Sequence, residues 1–206
     1  MARRKKYHRQ HKGLDRRVNA RKEYDRFLIV CEGKQTERNY FEDLRIRGRI
    51  SGKVKGIGEN TVRVVEHALK VRKEENYDRP KDQVWCVFDR DVFPEENFNE
   101  ALRLAEKHGI KVAYSNEAFE LWYVLHFNYH ESATARHLYV EKLTKLLGVP
   151  YEKNRLDMYE RLEDRQETAI RNAENLLDTY QPHRPAHDNP CTTVHLLVQE
   201  LNRFAV

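Results

Sequence analysis

Apolar residues along this chain fall into two kinds of pattern. Short unbroken runs bounded by polar turn residues predict buried strands at Phe27-Leu28-Ile29-Val30-Cys31 and Val84-Trp85-Cys86-Val87-Phe88, and Ile110-Lys111-Val112-Ala113-Tyr114, interrupted by one lysine, makes a further strand. Between these runs apolar residues return at helical spacing. Tyr40, Phe41 and Leu44 give a buried stripe to a helix that Thr36 can cap. Val62, Val65, Ala68, Leu69 and Arg72 follow the same period in a helix that starts at Asn60 or Thr61. Phe98, Ala101, Leu102 and Ala105 do so in a helix begun by Pro94, with Glu95 and Glu96 in its first turn and Gly109 as its stop. Gly48, Gly52, Gly56 and Gly58 mark a loop-rich passage with room for a short strand from Val54 to Ile57. Strands alternating with helices in this way predict βαβ units, a mainly parallel sheet and helices on both of its faces.

The pattern changes at Ala118. The segment from Ala118 to Phe127 is apolar nearly all round, which predicts a buried helix carrying two oddities, Glu120 and His126. Helices are then expected from Ala133 to Leu147 with Gly148 as stop, from about Leu156 to Tyr180, and from Thr192 to Phe204 after an Asn189-Pro190 turn. The expected organisation is therefore a basic tail at 1–24, an α/β core at 25–128 and a helical C-terminal region at 129–206.

Composition refines this picture in three ways. Charged residues are 34% of the chain and no apolar run approaches the roughly 20 residues of a membrane span, so a soluble protein without a membrane partner is expected. No apolar region follows the opening Ala-Arg-Arg-Lys-Lys, and the three cysteines, Cys31, Cys86 and Cys191, are scattered. Two of them lie in strand runs; together these features predict a reduced, cytoplasmic setting. The positive charge is also unevenly placed: residues 1–26 hold eleven Lys or Arg against three acids, while the remainder holds 27 basic and 30 acidic residues. Such a tail is an electrostatic handle for nucleic acid or, more plainly, a solubilising arm.

The chemistry lies where strands end. The first run closes on Glu32-Gly33 and the second on Asp89-Arg90-Asp91. In open α/β sheets ligands sit beyond the carboxyl ends of the strands. The spacing of Asp89 and Asp91 points both side chains the same way if the strand continues through them. Two acidic strand ends in one βαβ framework suggest a shared hard-cation site, since Mg²⁺ takes carboxylate oxygens completed by water and phosphate. The ordinary alternative is a set of solvated loop acids. Glu120 is costly in an apolar helix unless it meets a metal, a cation or a hydrogen-bonding shell. Lys34 and Arg90, beside the acids, are candidate phosphate contacts. His126 reads as a core histidine. The loop His183-Arg184-Pro185-Ala186-His187-Asp188 lacks the further ligands a zinc site needs.

These features resemble a known fold. Glu32-Gly33 after one apolar strand and Asp89-Arg90-Asp91 after another resemble the Toprim fold of topoisomerases, bacterial primases and OLD-type nucleases. More narrowly, three blocks are similar to the RloB family. They are Cys-Glu-Gly-Lys-Gln-Thr-Glu-Arg-Asn-Tyr-Phe at 31–41, Ser115-Asn116 with Phe119-Glu120-Leu121-Trp122 and His126-Phe127, and Asn189-Pro190-Cys191-Thr192-Thr193-Val194. The resemblance implies a Toprim-like core with Glu32 as general acid or base and Asp89 and Asp91 as Mg²⁺ (or Mn²⁺) ligands, Glu32 completing the metal shell or moving a proton. Glu120 is a further catalytic candidate. It also implies a metal-dependent nuclease acting on DNA or RNA in phage-defence or restriction-modification loci, beside a partner ATPase. The rival expectations are a non-catalytic targeting or regulatory subunit of such a complex, and a plain nucleic-acid-binding module. Three positions depart from the expected pattern: the acid after Glu-Gly falls at Glu37, one place late; Val92 stands where a glycine often follows; and Glu117 replaces a proline.

Overall fold

The computed structural model describes residues 26–91 and 94–205. The basic tail and Val92 lie outside the described residues. The chain runs β1 (Phe27–Cys31), α1 (Thr36–Arg47), β2 (Gly52–Gly56), α2 (Thr61–Glu74), β3 (Gln83–Arg90), α3 (Glu95–Lys107), β4 (Lys111–Asn116), α4 (Glu120–Leu125), α5 (Arg136–Leu147), α6 (Met158–Leu162), α7 (Gln166–Asp178), β5 (Cys191–Thr192) and α8 (Val194–Asn202). The expected α/β architecture is present. A five-stranded sheet has the order β2-β1-β3-β4-β5, parallel throughout except for the antiparallel β4–β5 pair.

Side-chain alternation divides the core between the two faces of this sheet. Phe27, Ile29 and Cys31 of β1 and Trp85 and Val87 of β3 pack with α1, α4, α5, α7 and α8. Leu28 and Val30, with Val84, Cys86 and Phe88, pack with α2 and α3. Both faces are thus covered, which is why the central strands β1 and β3 read as unbroken apolar runs instead of alternating ones. The same parity fixes the strand ends. Asp89 follows Val87 by two and faces α1 and α4, whereas Arg90 follows Phe88 and faces the other way. Because β1 pairs with β3 only as far as Cys31↔Val87, β3 runs past it, and Asp89 and Arg90 pair with Ser115 and Asn116 of β4.

Four local expectations are corrected. Thr36 is the first residue of α1 rather than its cap, and its hydroxyl donates to the Lys153 carbonyl at 3.1 Å. The buried face of α2 is Thr61, Val64, Val65, Ala68 and Val71, rotated from the Val62–Leu69 stripe; Asn60 caps it by accepting the Arg63 N–H at 3.2 Å. The segment 156–180 is two helices joined by a tight turn at 163–165, because Met158, Tyr159 and Leu162 pack toward α1 while Ala169, Ala173 and Leu176 pack toward α4. Thr192 belongs to a strand: the Thr193 N–H donates to the Tyr114 carbonyl at 2.8 Å and the Thr192 hydroxyl to the same oxygen at 3.1 Å, binding the edge of β4. Elsewhere the region after 129 is helical as expected, and Tyr139, Leu143, Leu162, Leu176, Leu197 and Leu201 share one apolar core with β1 and α1. Among the described residues, no helix is long and apolar enough to cross a membrane.

Candidate active site

The ends of β1 and β3 are tied together. Glu32 N–H donates to the Val87 carbonyl at 2.8 Å, extending the pairing by one residue, and the Glu32 carboxylate then accepts the Asp89 N–H at 3.0 Å. The carboxylate is thereby held over the strand next door. Asp89 and Asp91 are largely buried, their side chains 13% and 14% exposed, and both turn toward Arg136. The Arg136 Nη2 lies 3.1 Å from Asp89 Oδ2 and 3.5 Å from Asp91 Oδ2. Arg136 opens α5, and Glu117 holds it twice: the Glu117 carboxylate accepts the Arg136 backbone N–H at 2.9 Å and the Glu117 carbonyl accepts Nη2 at 3.0 Å.

A second pair of acids adjoins the first. Glu37, in the first turn of α1, and Glu120, which opens α4, are both buried. Gly33 makes room for Glu37, since a Cβ there would stand 2.0 Å from Glu37 Oε2. The backbone N–H groups of Glu37 and Gly33 favour the ionised Glu37 carboxylate and work against its burial. The protein's own acid thus stands beside the first turn of α1. Glu120 accepts the Tyr151 hydroxyl at 3.1 Å and has the Lys153 ammonium at 3.5 Å, both from the loop after α5. The cost of its burial is thus met by a hydroxyl and a cation.

These groups line one cavity of about 420 Å³, in which five carboxylates (Glu32, Glu37, Asp89, Asp91, Glu120) meet three cations (Lys34, Arg136, Lys153). Burial and, after it, this excess of acid set the proton affinity of the carboxyls. Burial is the main cause that pushes the Glu32 carboxyl up to about 7; Asp91 and Glu37 add to it, while the Asp89 N–H and Arg136 pull against it. Asp89 is held well above the usual carboxylate range by burial and then by the charge of Glu37, despite Arg136. Glu37 is raised for the same first reason, with Glu120 contributing.

The structure brings Glu32, Asp89, Asp91, Glu120 and Lys34 of the expected site into this cavity. It does not bring Arg90. The parity of β3 sends that side chain to the opposite face, where Nε donates to the Ala186 carbonyl at 3.2 Å and Nη1 bonds the Asp91 carbonyl. His126 is a core histidine, donating from Nδ1 to the Trp122 carbonyl at 2.8 Å, and burial pushes it down to about 4. His183 is bound by Asp188 at 2.5 Å and by the Tyr114 hydroxyl at 2.7 Å, whereas His187 lies 3.1 Å from Glu95. The two histidines are thus committed to different partners. Sequence reasoning missed Arg136, Lys153 and Tyr151, which come from a helix start and a loop without periodic signal. Glu37 and Glu117 carried a signal only as departures from a pattern.

All five cavity acids offer the hard oxygen donors that Mg²⁺ or Mn²⁺ prefers, and their charge exceeds that of the neighbouring cations, so the donor set fits such an ion in kind. Among the described residues no three His, Cys, Asp or Glu side chains converge into a finished cage. At Asp89 and Asp91 a guanidinium stands where such an ion would neutralise the pair.

A family model described as RloB-like protein matches residues 27–201. No curated protein and no solved structure gives a significant match.

Proposed function

The chain belongs to the RloB-like family, and from that membership and the acid-lined cavity we propose a Toprim-type, metal-dependent phosphodiesterase that acts on nucleic acid. The observation that carries the reading is the joined end of β1 and β3, where Glu32, Asp89 and Asp91 meet at the mouth of one cavity. Asp89 and Asp91 would hold Mg²⁺ or Mn²⁺, with Glu32 beside them. Bound there, such an ion supplies Lewis-acid polarisation of a phosphoryl oxygen and a more acidic water. The chain's own groups account for the rest. A Glu32 carboxyl titrating at about 7 exchanges its proton near neutral pH, as a general base for water or an acid for the leaving oxygen requires. Lys34 and Lys153 place positive charge at the cavity wall for a phosphate. Glu120, which accepts the Tyr151 hydroxyl, would be a further group to orient water.

The test is incubation of the purified protein with Mg²⁺ or Mn²⁺ and single-stranded DNA, duplex DNA or RNA. Cleavage that disappears in Glu32→Gln and Asp89→Asn supports the reading; cleavage that survives in both places the chemistry elsewhere. The biological setting proposed with it is phage defence beside a partner ATPase.

A second reading, a non-catalytic targeting or regulatory subunit of a defence complex, is favoured by one observation. Asp89 and Asp91 are bridged by Arg136, an arrangement that also serves a purely structural site. Absence of turnover under every metal and substrate, with nucleic-acid or partner binding retained in Asp89→Asn, would favour it.

A further inference from the structure

Arg136 belongs to the cavity but has no part in the chemistry proposed above. One of its nitrogens, Nη2, meets Asp89 Oδ2 at 3.1 Å, Asp91 Oδ2 at 3.5 Å and the Glu117 carbonyl at 3.0 Å. Its backbone is fixed as well, because the Glu117 carboxylate takes the N–H of Arg136 at 2.9 Å and so anchors the start of α5. Its planar guanidinium presents fixed donors that suit carboxylate oxygens. It rests on the same two carboxylates that a divalent cation would need. Arg136 is also 39% exposed, which leaves its side chain room to move without disturbing the apolar core.

We infer that Arg136 is a built-in counter-ion of the Asp89–Asp91 pair, one that a divalent cation must displace in order to bind there, and that Glu117 is the positioning residue that keeps it in place. The inference rests on the metal-binding reading of the site. Like charges a few ångströms apart exclude one another, and the two aspartates cannot be fully shared between a guanidinium and a metal ion. The acids are therefore kept ordered without metal, at the expense of metal affinity. Glu117 occupies the position at which the expected pattern has a proline, and a proline has no side-chain acceptor for the Arg136 N–H.

The experiment is titration of Mn²⁺ by calorimetry into the full-length wild type, Arg136→Met, Glu117→Ala and Asp91→Asn, with thermal unfolding of each in chelator and in Mn²⁺. Arg136→Met is expected to bind Mn²⁺ at least about fivefold more tightly than wild type, the loss of one partly exposed ion pair and of a like charge. Glu117→Ala should shift affinity in the same direction by less, which supplies the answer if Arg136→Met folds poorly. In chelator Arg136→Met should melt below wild type, and Mn²⁺ should close the gap. Unchanged or weaker Mn²⁺ affinity in both Arg136→Met and Glu117→Ala, while Asp91→Asn abolishes binding, overturns the counter-ion role and leaves the metal site standing. No Mn²⁺ binding in any of the four overturns both.

Discussion

The backbone N–H of Asp89 donates to the carboxylate of Glu32 at 3.0 Å, so the end of one central strand holds the acid of the other. A single hydrogen bond does not offset the burial of that carboxylate, and the Glu32 carboxyl rises to about 7. A carboxyl whose folded value lies above its unfolded one contributes stability that is whole below the unfolded value, near 4.5, and is lost as pH rises through the folded value. The metal-free protein should therefore weaken between about pH 5 and pH 8, by up to about 3 kcal/mol from Glu32 before solvent screening is discounted. Thermal unfolding in chelator across that range measures the loss. Glu32→Gln should make the profile shallower, the remaining slope belonging to Asp89 and Glu37, whose carboxyls are raised as well, and a wild-type profile already flat would contradict the assignment.

Gly33→Ala should be destabilising because a Cβ there meets the Glu37 carboxylate at 2.0 Å and forces that buried acid to shift. The expected cost is about 1–3 kcal/mol in denaturant unfolding, an overpacking cost together with a stranded acid. In Gly33→Ala combined with Glu37→Ala most of that cost should vanish. Additive losses in the double variant would show that the glycine is needed for its backbone rather than for the acid.

Tyr151→Phe removes the hydroxyl donor of a buried carboxylate, whereas Lys153→Ala removes a longer contact, at 3.5 Å, from a side chain that is 48% exposed. The first should cost about 1–3 kcal/mol and the second about 1 kcal/mol or less. Equal losses would mean that Glu120 is held mainly by charge.

Arg90→Ala tests which face of β3 carries the chemistry. It should loosen the loop around Ala186 and lower stability by about 1 kcal/mol, and any nuclease turnover should stay within about twofold of wild type. A large loss of turnover at unchanged stability would return Arg90 to the site.

Much of this arrangement was legible in the residues. Unbroken apolar runs ending on acids placed β1 and β3 and their carboxyl ends, because strands buried on both faces leave polar residues nowhere else to go. The all-apolar surroundings of Glu120 marked it as needing a partner. What could not be read is the part contributed by long-range packing. Arg136 is 45 residues from Asp91, and Tyr151 and Lys153 sit in a loop whose course depends on how α5 lies on the core. Arg90 shows a different failure: proximity in sequence suggested proximity in space, although a strand sends neighbours to opposite faces. β5 escaped because two residues are too short for a periodicity.

The alternation along β3 bears on how this family can vary. With Asp89 set on one face and Arg90 on the other, inserting or deleting one residue in the strand would exchange acid for base at the mouth of the cavity while leaving the apolar composition nearly unchanged. The strand's length should thus drift less among relatives than its individual apolar residues do, and gaps in an alignment should collect in the loops on either side of β3.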